Sequence, residues 1–335
     1  MSAGFLTELG WTDDLLRQLE TEEAETCTAM RVTAVHRSRI LALGSGGAAD
    51  LLPAASLSTG DVAVGDWILA REGVALRVLD RRSLVSRKAA GSGVGRQLIA
   101  ANLDALFIVS SCNADFNAGR MERFLVLAAS AGVEPVVVLT KADTCADPQA
   151  FVTEAKALKK GLAVVLLDAK RGDVRAALGP WCGPGQTVAL LGSSGVGKTT
   201  IANALTGGAA AVQDIRDDDA KGRHTTTGRY LVAMVGGGWL IDTPGMREVQ
   251  LTDAYDGIGL FFDDLTQLSL TCKFRNCRHE GEPGCAIQAA IASGDLDKAR
   301  LARWQKLLAE DDTNTATMEV SAERAAGRRG YPKKK

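Results

Sequence analysis

The nine residues GSSGVGKTT, from Gly192 to Thr200, constrain the fold of this chain more than any other stretch. They match G-x-x-x-x-G-K-[ST], and they lie between an apolar run at 187–191 that predicts a buried strand and a run at 201–205 that predicts a helix. Such a loop turns successive backbone N–H groups inward, and the helix N-terminus adds partial positive charge. The alternative is a simple Gly/Ser-rich turn. The pattern predicts a pocket for a nucleoside di- or triphosphate.

Two side chains of this loop have predicted roles. Lys198 would reach the β- and γ-phosphates, and Thr199 would offer its hydroxyl to Mg²⁺. The residues predicted to hold the phosphates are Gly192, Ser193, Ser194, Gly195, Val196, Gly197, Lys198, Thr199 and Thr200.

A second motif predicts which base the pocket accepts. The apolar strand 136–139 runs directly into Thr140, Lys141, Ala142 and Asp143. Ligands of open α/β sheets bind at the carboxyl ends of strands. A carboxylate at Asp143 can accept hydrogen bonds from N1–H and the 2-amino group of guanine, whereas adenine would leave it unpaired. The tetrapeptide is common by chance, but together with the phosphate loop it predicts GTP and GDP as ligands.

Two further segments, 222–227 (GRHTTT) and 239–245 (WLIDTPG), predict switch elements that respond to the γ-phosphate. Asp242 would hold Mg²⁺, and the N–H of Gly245 would sense the γ-phosphate. A threonine of the first segment, with Thr226 as our candidate, would cap the metal when triphosphate is bound. A polar surface loop is the alternative interpretation of the threonine run.

The side chain that orients the attacking water is not at its usual place. Met246 stands just after D-x-x-G, where many GTPases have Gln, and a thioether cannot orient water strongly. His224 is the best replacement because it lies within the first switch segment, and a surface-loop histidine is the alternative. We therefore expect slow hydrolysis by the protein alone.

The chain has seven cysteines, an odd number that suits a reducing compartment better than a disulfide framework. Three of them lie close together with one histidine, and this set can close a tetrahedral zinc shell that leaves no position for a substrate. Accidental clustering of buried cysteines is the alternative. The predicted ligands of one structural Zn²⁺ are Cys272, Cys277, His279 and Cys285.

The remaining regions give weaker signals. Short β-type runs at 32–35, 40–43, 62–64, 67–70 and 74–79 predict a small barrel of the OB type, although a sandwich or another barrel would give the same pattern. The glycine-rich stretch 88–96 is interpreted as a linker, because it lacks the Lys-Thr pair. Residues beyond 285 have apolar positions near helical spacing, which predicts packed helices.

Length and charge set limits on partners and location. A chain of 335 residues predicts two or three domains, and no apolar run approaches the ~18 residues of a membrane span. We therefore expect a soluble cytoplasmic protein with no membrane partner. The net charge of −1 gives no overall attraction to nucleic acid, but residues 324–335 carry six basic side chains and no acid. This end is either a solvated tail or a phosphate-contacting one.

The order of the motifs resembles that of the circularly permuted GTPases, because the base-reading loop at 140–143 precedes the phosphate loop at 192. The preceding barrel, GRHTTT, DTPG and the cysteine–histidine cluster narrow the resemblance to the ribosome small-subunit-dependent GTPase A family. Two positions depart from the family's commonest pattern. Thr140 replaces Asn, and its hydroxyl can still tie the base loop to the phosphate loop. Asp168 replaces Ser, so the contact to guanine O6 would come from a backbone N–H near Ala169.

The resemblance implies a GTP hydrolase whose barrel and zinc domain bind 16S-type rRNA of the small ribosomal subunit late in its maturation, with release on hydrolysis. We expect a monomer. Two other hypotheses remain: a permuted GTPase with a non-ribosomal partner, and a nucleotide-gated RNA-binding module with incidental turnover. The predicted organisation is a polar extension (1–30), an OB-like β-barrel (31–90), a circularly permuted α/β P-loop GTPase domain (97–250), an α-rich zinc-binding domain (251–320) and a basic tail (321–335).

Overall fold

The computed structural model describes residues 3–88, 96–168, 173–208, 229–242 and 254–329. Spatial contacts divide the chain into two compact units. The first comprises Met1–Arg87, Arg96–Ala118 and Ala131–Val249, and the second comprises Lys88–Gly95, Gly119–Ser130 and Gln250–Lys335.

The first unit begins with a closed barrel of five strands, which confirms the predicted barrel. Its strands are β1 (Thr28–Val35), β2 (Ile40–Gly44), β3 (Gly47–Pro53), β4 (Trp67–Arg71) and β5 (Val74–Val78), in the order β1-β2-β3-β5-β4 around the barrel. All pairs are antiparallel except β3 with β5. Alternate apolar residues point inward, so one face of each strand fills the interior.

Two details of the predicted barrel are wrong. The segment 47–53 forms β3, although its Ala-Ala-Asp sequence has low strand propensity, because β2 and β5 both offer it a pairing edge. The run 62–64 is not a strand. It follows a short 3₁₀ helix, Thr59–Asp61, and Val64 makes only an isolated bridge to Ala100. The Asp66 carboxylate accepts from the Ala63 N–H at 2.7 Å, which holds this segment as a turn.

The acidic N-terminal extension packs on the outside of the barrel. It forms three short helices, α1 (Ala3–Glu8), α2 (Asp13–Leu16) and α3 (Thr21–Thr26). Leu9 and Leu15 are buried with Trp67 of β4, in a second apolar cluster separate from the barrel interior. Its acidic side chains face outward, and Glu23 makes a two-pronged ion pair with Arg77 of β5, with both N–O distances 2.7 Å.

A two-stranded ribbon follows the barrel, formed by β6 (Leu84–Lys88) and β7 (Arg96–Ala101). The predicted linker lies between these strands, and its residues 89–95 are outside the described part of the chain.

A six-stranded sheet forms the rest of the first unit. Its order is β10-β9-β8-β11-β13-β12, and all pairs are parallel except β12 with β13. The strands are β8 (Ala105–Ser111), β9 (Glu134–Thr140), β10 (Ala163–Leu166), β11 (Thr187–Leu191), β12 (Tyr230–Ala233) and β13 (Trp239–Asp242). Within the described residues of this region, the helices are α5 (Pro148–Ala157), α6 (Val174–Leu178) and α7 (Lys198–Thr206). The strand order reverses between β8 and β11, the position where open α/β sheets bind ligands.

The second unit is helical in its described residues. It contains most of α4 (Ala118–Ala131), together with α8 (Tyr255–Phe261), α9 (Asp263–Leu270), α10 (Ala286–Ser293) and α11 (Lys298–Arg329). The buried Glu122 carboxylate on α4 lies 2.6 Å from Nε of Arg303 on α11. Arg300, one turn earlier, stacks its guanidinium on Phe262, 4.7 Å from the ring centroid. Among helices in the described residues, none is both long and apolar enough to span a bilayer.

Candidate nucleotide and metal sites

The phosphate loop leaves β11 and enters α7 through three glycines with positive φ angles. Gly192, Gly195 and Gly197 have φ of +149°, +77° and +100°. A Cβ atom on Gly192 would collide with the carbonyl oxygen of Val109 on β8, so only glycine fits there. Val196 is buried in the sheet's apolar core and anchors the middle of the loop.

Lys198 is the first residue of α7, and its ammonium group bridges the loop. Its Nζ donates to the carbonyl oxygens of Gly192 at 2.7 Å and Ser193 at 2.5 Å. Ser194, Thr199 and Thr200 are exposed on the loop and the first helical turn. A cation is therefore held inside the loop, at the positive end of a helix, as phosphate binding requires.

The base-reading segment is tied to the phosphate loop by the residue that departs from the family pattern. Thr140 is buried at the end of β9, and its Oγ1 lies 2.6 Å from the carbonyl oxygen of Val196. The expected hydroxyl tie is thus present. Lys141 then adopts a left-handed conformation with φ of +58°, and the Thr144 hydroxyl donates to the Lys141 carbonyl at 2.9 Å. These contacts leave Asp143 exposed at the same edge of the sheet as the phosphate loop.

Residue 168 lies beside this segment. The Leu167 N–H donates to the carbonyl oxygen of Leu139 at 2.7 Å, which continues the pairing of β10 with β9 up to the base-reading turn. Asp168 is the next residue, and Ala169 lies outside the described residues, as do His224, Thr226 and Gly245. Their predicted roles stay predictions.

The two predicted Mg²⁺ ligands lie at one edge of the sheet. Asp242 ends β13, which pairs in parallel with β11, and β11 leads through the phosphate loop to Thr199. A carboxylate and a hydroxyl are oxygen donors of the kind that Mg²⁺ prefers beside phosphates. The residues present therefore fit this ion.

The four predicted zinc ligands come together in the second unit, with their donor atoms all within 4.8 Å of one another. Cys272 Sγ lies 3.9 Å from Cys285 Sγ, and His279 Nδ1 lies 3.6 Å from the first and 3.5 Å from the second. With metal bonds of about 2.3 Å to sulfur and 2.0–2.1 Å to nitrogen, a tetrahedron has S–S edges of about 3.8 Å and S–N edges of about 3.6 Å. The cluster has the dimensions of a zinc site.

The surroundings of the cluster contribute features that the spacing of the cysteines did not reveal. Cys285 is the N-cap of α10, and its Sγ accepts from the Gln288 N–H at 3.5 Å. The Gln288 side-chain amide in turn donates to the carbonyl oxygen of His279. Burial opposes ionisation of Cys272, but hydrogen bonds from the N–H groups of Ala286 and Ile287, together with those to Cys285 and Cys277, lower the pKa of the thiol. The start of α10 therefore favours the thiolate form of Cys272, whereas burial raises the pKa of Cys277 to about 12.

The sheet order, the phosphate loop and the preceding base-reading segment define the first unit as a circularly permuted P-loop GTPase with an N-terminal barrel. The sequence profile of the RsgA GTPase family matches residues 78–252. A curated relative from Mesorhizobium japonicum, named small ribosomal subunit biogenesis GTPase RsgA, is 50% identical over 94% of this chain and 92% of its own length. One from Vibrio parahaemolyticus, named small ribosomal subunit biogenesis GTPase RsgA 2, is 45% identical over 98% and 91%.

Two solved structures show the same fold. YjeQ from Thermotoga maritima has a TM-score of 0.62 with 23% identity, over 85% of this chain and 98% of its own. YloQ, described as a circularly permuted GTPase, has a TM-score of 0.62 with 20% identity, over 88% and 98%. The chain belongs to the RsgA GTPase family, and it is a GTP-hydrolysing enzyme.

Proposed function

We propose that this GTPase acts in late maturation of the small ribosomal subunit, binds its 16S-type rRNA through the barrel and the zinc-binding region, and is released on GTP hydrolysis. The observation that carries the catalytic half is the Thr140–Val196 hydrogen bond, because it holds the base-reading segment and the phosphate loop in one rigid site. The name of the relative from Mesorhizobium japonicum, which is 50% identical, supports the ribosomal half.

The chemistry follows from the positions of the chain's own groups. Backbone N–H groups of the phosphate loop and the Lys198 ammonium bind the phosphates, and Asp143 orients the base. Mg²⁺, held by Thr199 and Asp242, would neutralise charge that develops on the phosphates. His224 orients the water, Thr226 closes over the γ-phosphate, and Gly245 senses it.

The protein acts as a monomer in the cytoplasm, where small subunits mature, and one Zn²⁺ holds the segment 272–285. The domain boundaries at 31–90, 97–250 and 251–320 belong to this proposal.

Guanine selectivity is tested by Asp143→Asn. Loss of the carboxylate should weaken GTP binding about 10- to 100-fold, because hydrogen bonds to a charged group are worth roughly 1.5–3 kcal/mol, and it should admit xanthine nucleotides. Asp147→Asn is the matched control. Asp147 caps α5 through the Ala150 N–H at 3.2 Å, and Asn caps equally well. Equal competition by ATP and GTP for the unaltered protein would contradict the assignment.

Ribosome-dependent turnover is tested by phosphate release with purified small subunits. We expect slow hydrolysis alone, strong acceleration with small subunits, and loss of most of the acceleration in His224→Ala with GTP affinity preserved. Unchanged stimulation in the variant would remove the histidine from the mechanism. Turnover that small subunits leave unmoved would remove the small subunit as the activating partner. Purification with small subunits then separates the two alternatives: association only in the GTP state, without stimulated turnover, would favour an RNA-binding module, and no association in either state would favour a non-ribosomal partner.

A further inference from the structure

The hairpin formed by β12 and β13 joins the two predicted switch segments. In the sequence, the threonine run ends at Thr227, just before this hairpin, and D-x-x-G begins at Asp242, its last residue. The hairpin forms the edge of the sheet, with only β13 paired to β11. Its position therefore sets where the Asp242 carboxylate stands relative to the phosphate loop.

The turn end of the hairpin, where β13 begins, is fastened to the N-terminal extension. Trp239 Nε1 donates to the carbonyl oxygen of Glu8 at 2.8 Å, and its ring joins the apolar cluster around Leu9 and Trp67. The same carbonyl accepts from the Gly185 N–H at 3.2 Å, just before β11. Gly185 also approaches the extension so closely that a Cβ atom on it would lie 2.8 Å from the carbonyl oxygen of Thr7. One carbonyl of α1 thus holds both strands that lead to the nucleotide.

The barrel makes the second attachment. Gly65, in the turn before β4, has φ of +89°, and a Cβ atom on it would collide with the carbonyl oxygen of Ala101 and lie 2.9 Å from Cδ1 of Ile241. Ile241 immediately precedes Asp242. The turn before β4 is therefore packed against the Ile241 side chain of the strand that delivers the carboxylate, and the Ala101 carbonyl leaves no room for a Cβ atom.

A buried guanidinium connects the N-terminal extension to the barrel. Arg31 of β1 donates to the carbonyl oxygens of Leu9 and Asn102, and its guanidinium lies over the Trp67 ring. Burial lowers the pKa of Arg31 to about 10, yet the group stays charged at neutral pH. The Asn102 side chain donates to the Gly65 carbonyl at 3.0 Å. The extension, the barrel and the start of β13 therefore form one hydrogen-bonded joint.

We propose that this joint positions Asp242 for Mg²⁺, with Trp239 and Gly65 as positioning residues, so that the N-terminal extension and barrel tune the metal affinity of the GTPase site. The proposal rests on the proposed role of Asp242 as a Mg²⁺ ligand. Groups more than 200 positions apart in sequence, the main-chain carbonyl of Glu8 and the carboxylate of Asp242, would then act on one ion.

The test measures the release rate of a fluorescent GDP analogue from the full chain across free Mg²⁺ concentrations. Trp239→Phe keeps the ring and removes the N–H donor, and Gly65→Ala introduces the colliding Cβ. We expect each to raise the Mg²⁺ concentration for half-maximal slowing of release by about three- to tenfold, with release in EDTA unchanged. For Trp239→Phe this is the value of one lost hydrogen bond, and for Gly65→Ala the effect comes from displacement of Ile241 by the new Cβ. Trp11→Phe is the matched control, because Trp11 belongs to the same apolar cluster through its 4.8 Å contact with Trp67 and has no place on the hairpin.

The outcomes distinguish failure of the proposed role of Asp242 from failure of the joint to position it. Asp242→Asn should shift the Mg²⁺ dependence more than any joint variant, and if it does not, the role of Asp242 fails. If Asp242→Asn shifts it and both Trp239→Phe and Gly65→Ala behave like Trp11→Phe, the joint does not position the carboxylate. Faster release by the joint variants at every Mg²⁺ concentration, EDTA included, would show general loosening of the pocket and would also overturn the proposal. Hydrogen exchange at 230–242 provides a readout independent of nucleotide: Trp239→Phe should raise it and Trp11→Phe should not.

Discussion

The barrel and the segment 272–285, which carries the predicted zinc ligands and is called the zinc segment below, are both small. We expect the barrel to be stabilised by an apolar core and the zinc segment by a metal. The barrel interior contains nine buried apolar residues from its strands and the turn before β4. In the segment 272–285, only His279 and Cys285 are buried, and both are predicted metal ligands. A strand-built module can bury a core of its own, whereas a 14-residue loop segment of this kind depends on a metal for its shape.

Removal of zinc should produce the largest difference between the zinc segment and the barrel. Structural Zn²⁺ sites carry apparent binding free energies of about 10–16 kcal/mol in zinc-finger peptides, so a chelator or Cys285→Ser should unfold the segment 272–285. Elemental analysis should find one zinc per chain before chelation, and hydrogen exchange should rise in the segment and stay unchanged in the barrel. Cys27→Ser is the control, since Cys27 is a free thiol outside the cluster. Absence of metal in protein made under zinc-replete conditions would contradict the site.

Truncation of the barrel core should have the next largest effect. Ile68 of β4 is fully buried in the interior, so Ile68→Ala should destabilise the barrel by about 2–5 kcal/mol through lost burial and a residual cavity. Leu52 of β3 is 60% exposed, and Leu52→Ala should change stability by less than about 0.5 kcal/mol. Urea denaturation gives both values, and zinc content should be unaffected in each variant. Equal losses from the two substitutions would mean that the interior cluster is not what stabilises the barrel.

The smallest expected effects come from one glycine in each region, and they sharpen the comparison. Gly73 in the β4–β5 turn and Gly284 in the zinc segment have nearly the same φ, +79° and +78°. A Cβ on Gly73 meets nothing within 4 Å, whereas one on Gly284 would lie 2.9 Å from Cβ of Lys273. Replacement by Ala should cost roughly 1–2 kcal/mol of left-handed strain at either position. Gly284→Ala should in addition weaken zinc retention in a chelator titration. Identical retention in both variants would show that the loop yields without disturbing the metal.

Much of the GTPase site could be predicted from sequence because its motifs constrain the backbone. Gly192 must be glycine beside the Val109 carbonyl, and a Thr at 140 offers a hydroxyl at the place where the phosphate loop passes. The approach of Cys272, Cys277, His279 and Cys285 was predictable for a similar reason, since close spacing in sequence favours closeness in space.

Other features depend on tertiary partners that leave little signal in the sequence. The strand at 47–53 has poor local propensity and exists because two neighbours pair with it. The acidic composition of the extension predicts a polar, solvent-exposed segment, yet Leu9 and Leu15 are buried against the barrel. The attachment of Trp239 uses the main-chain carbonyl of Glu8, and any residue type supplies such a group.

The permuted strand order also has a consequence for how the chain folds as it is synthesised. Strands β8, β9 and β10 are consecutive in sequence and adjacent in the sheet, so they can pair through comparatively local contacts as soon as they emerge. The strand β11 must then add to the opposite side of β8, and β13 completes that side last. The base-reading half of the pocket is therefore expected to form before its phosphate-binding half. Nucleotide can then stabilise the nascent chain only after the amino-terminal half has folded.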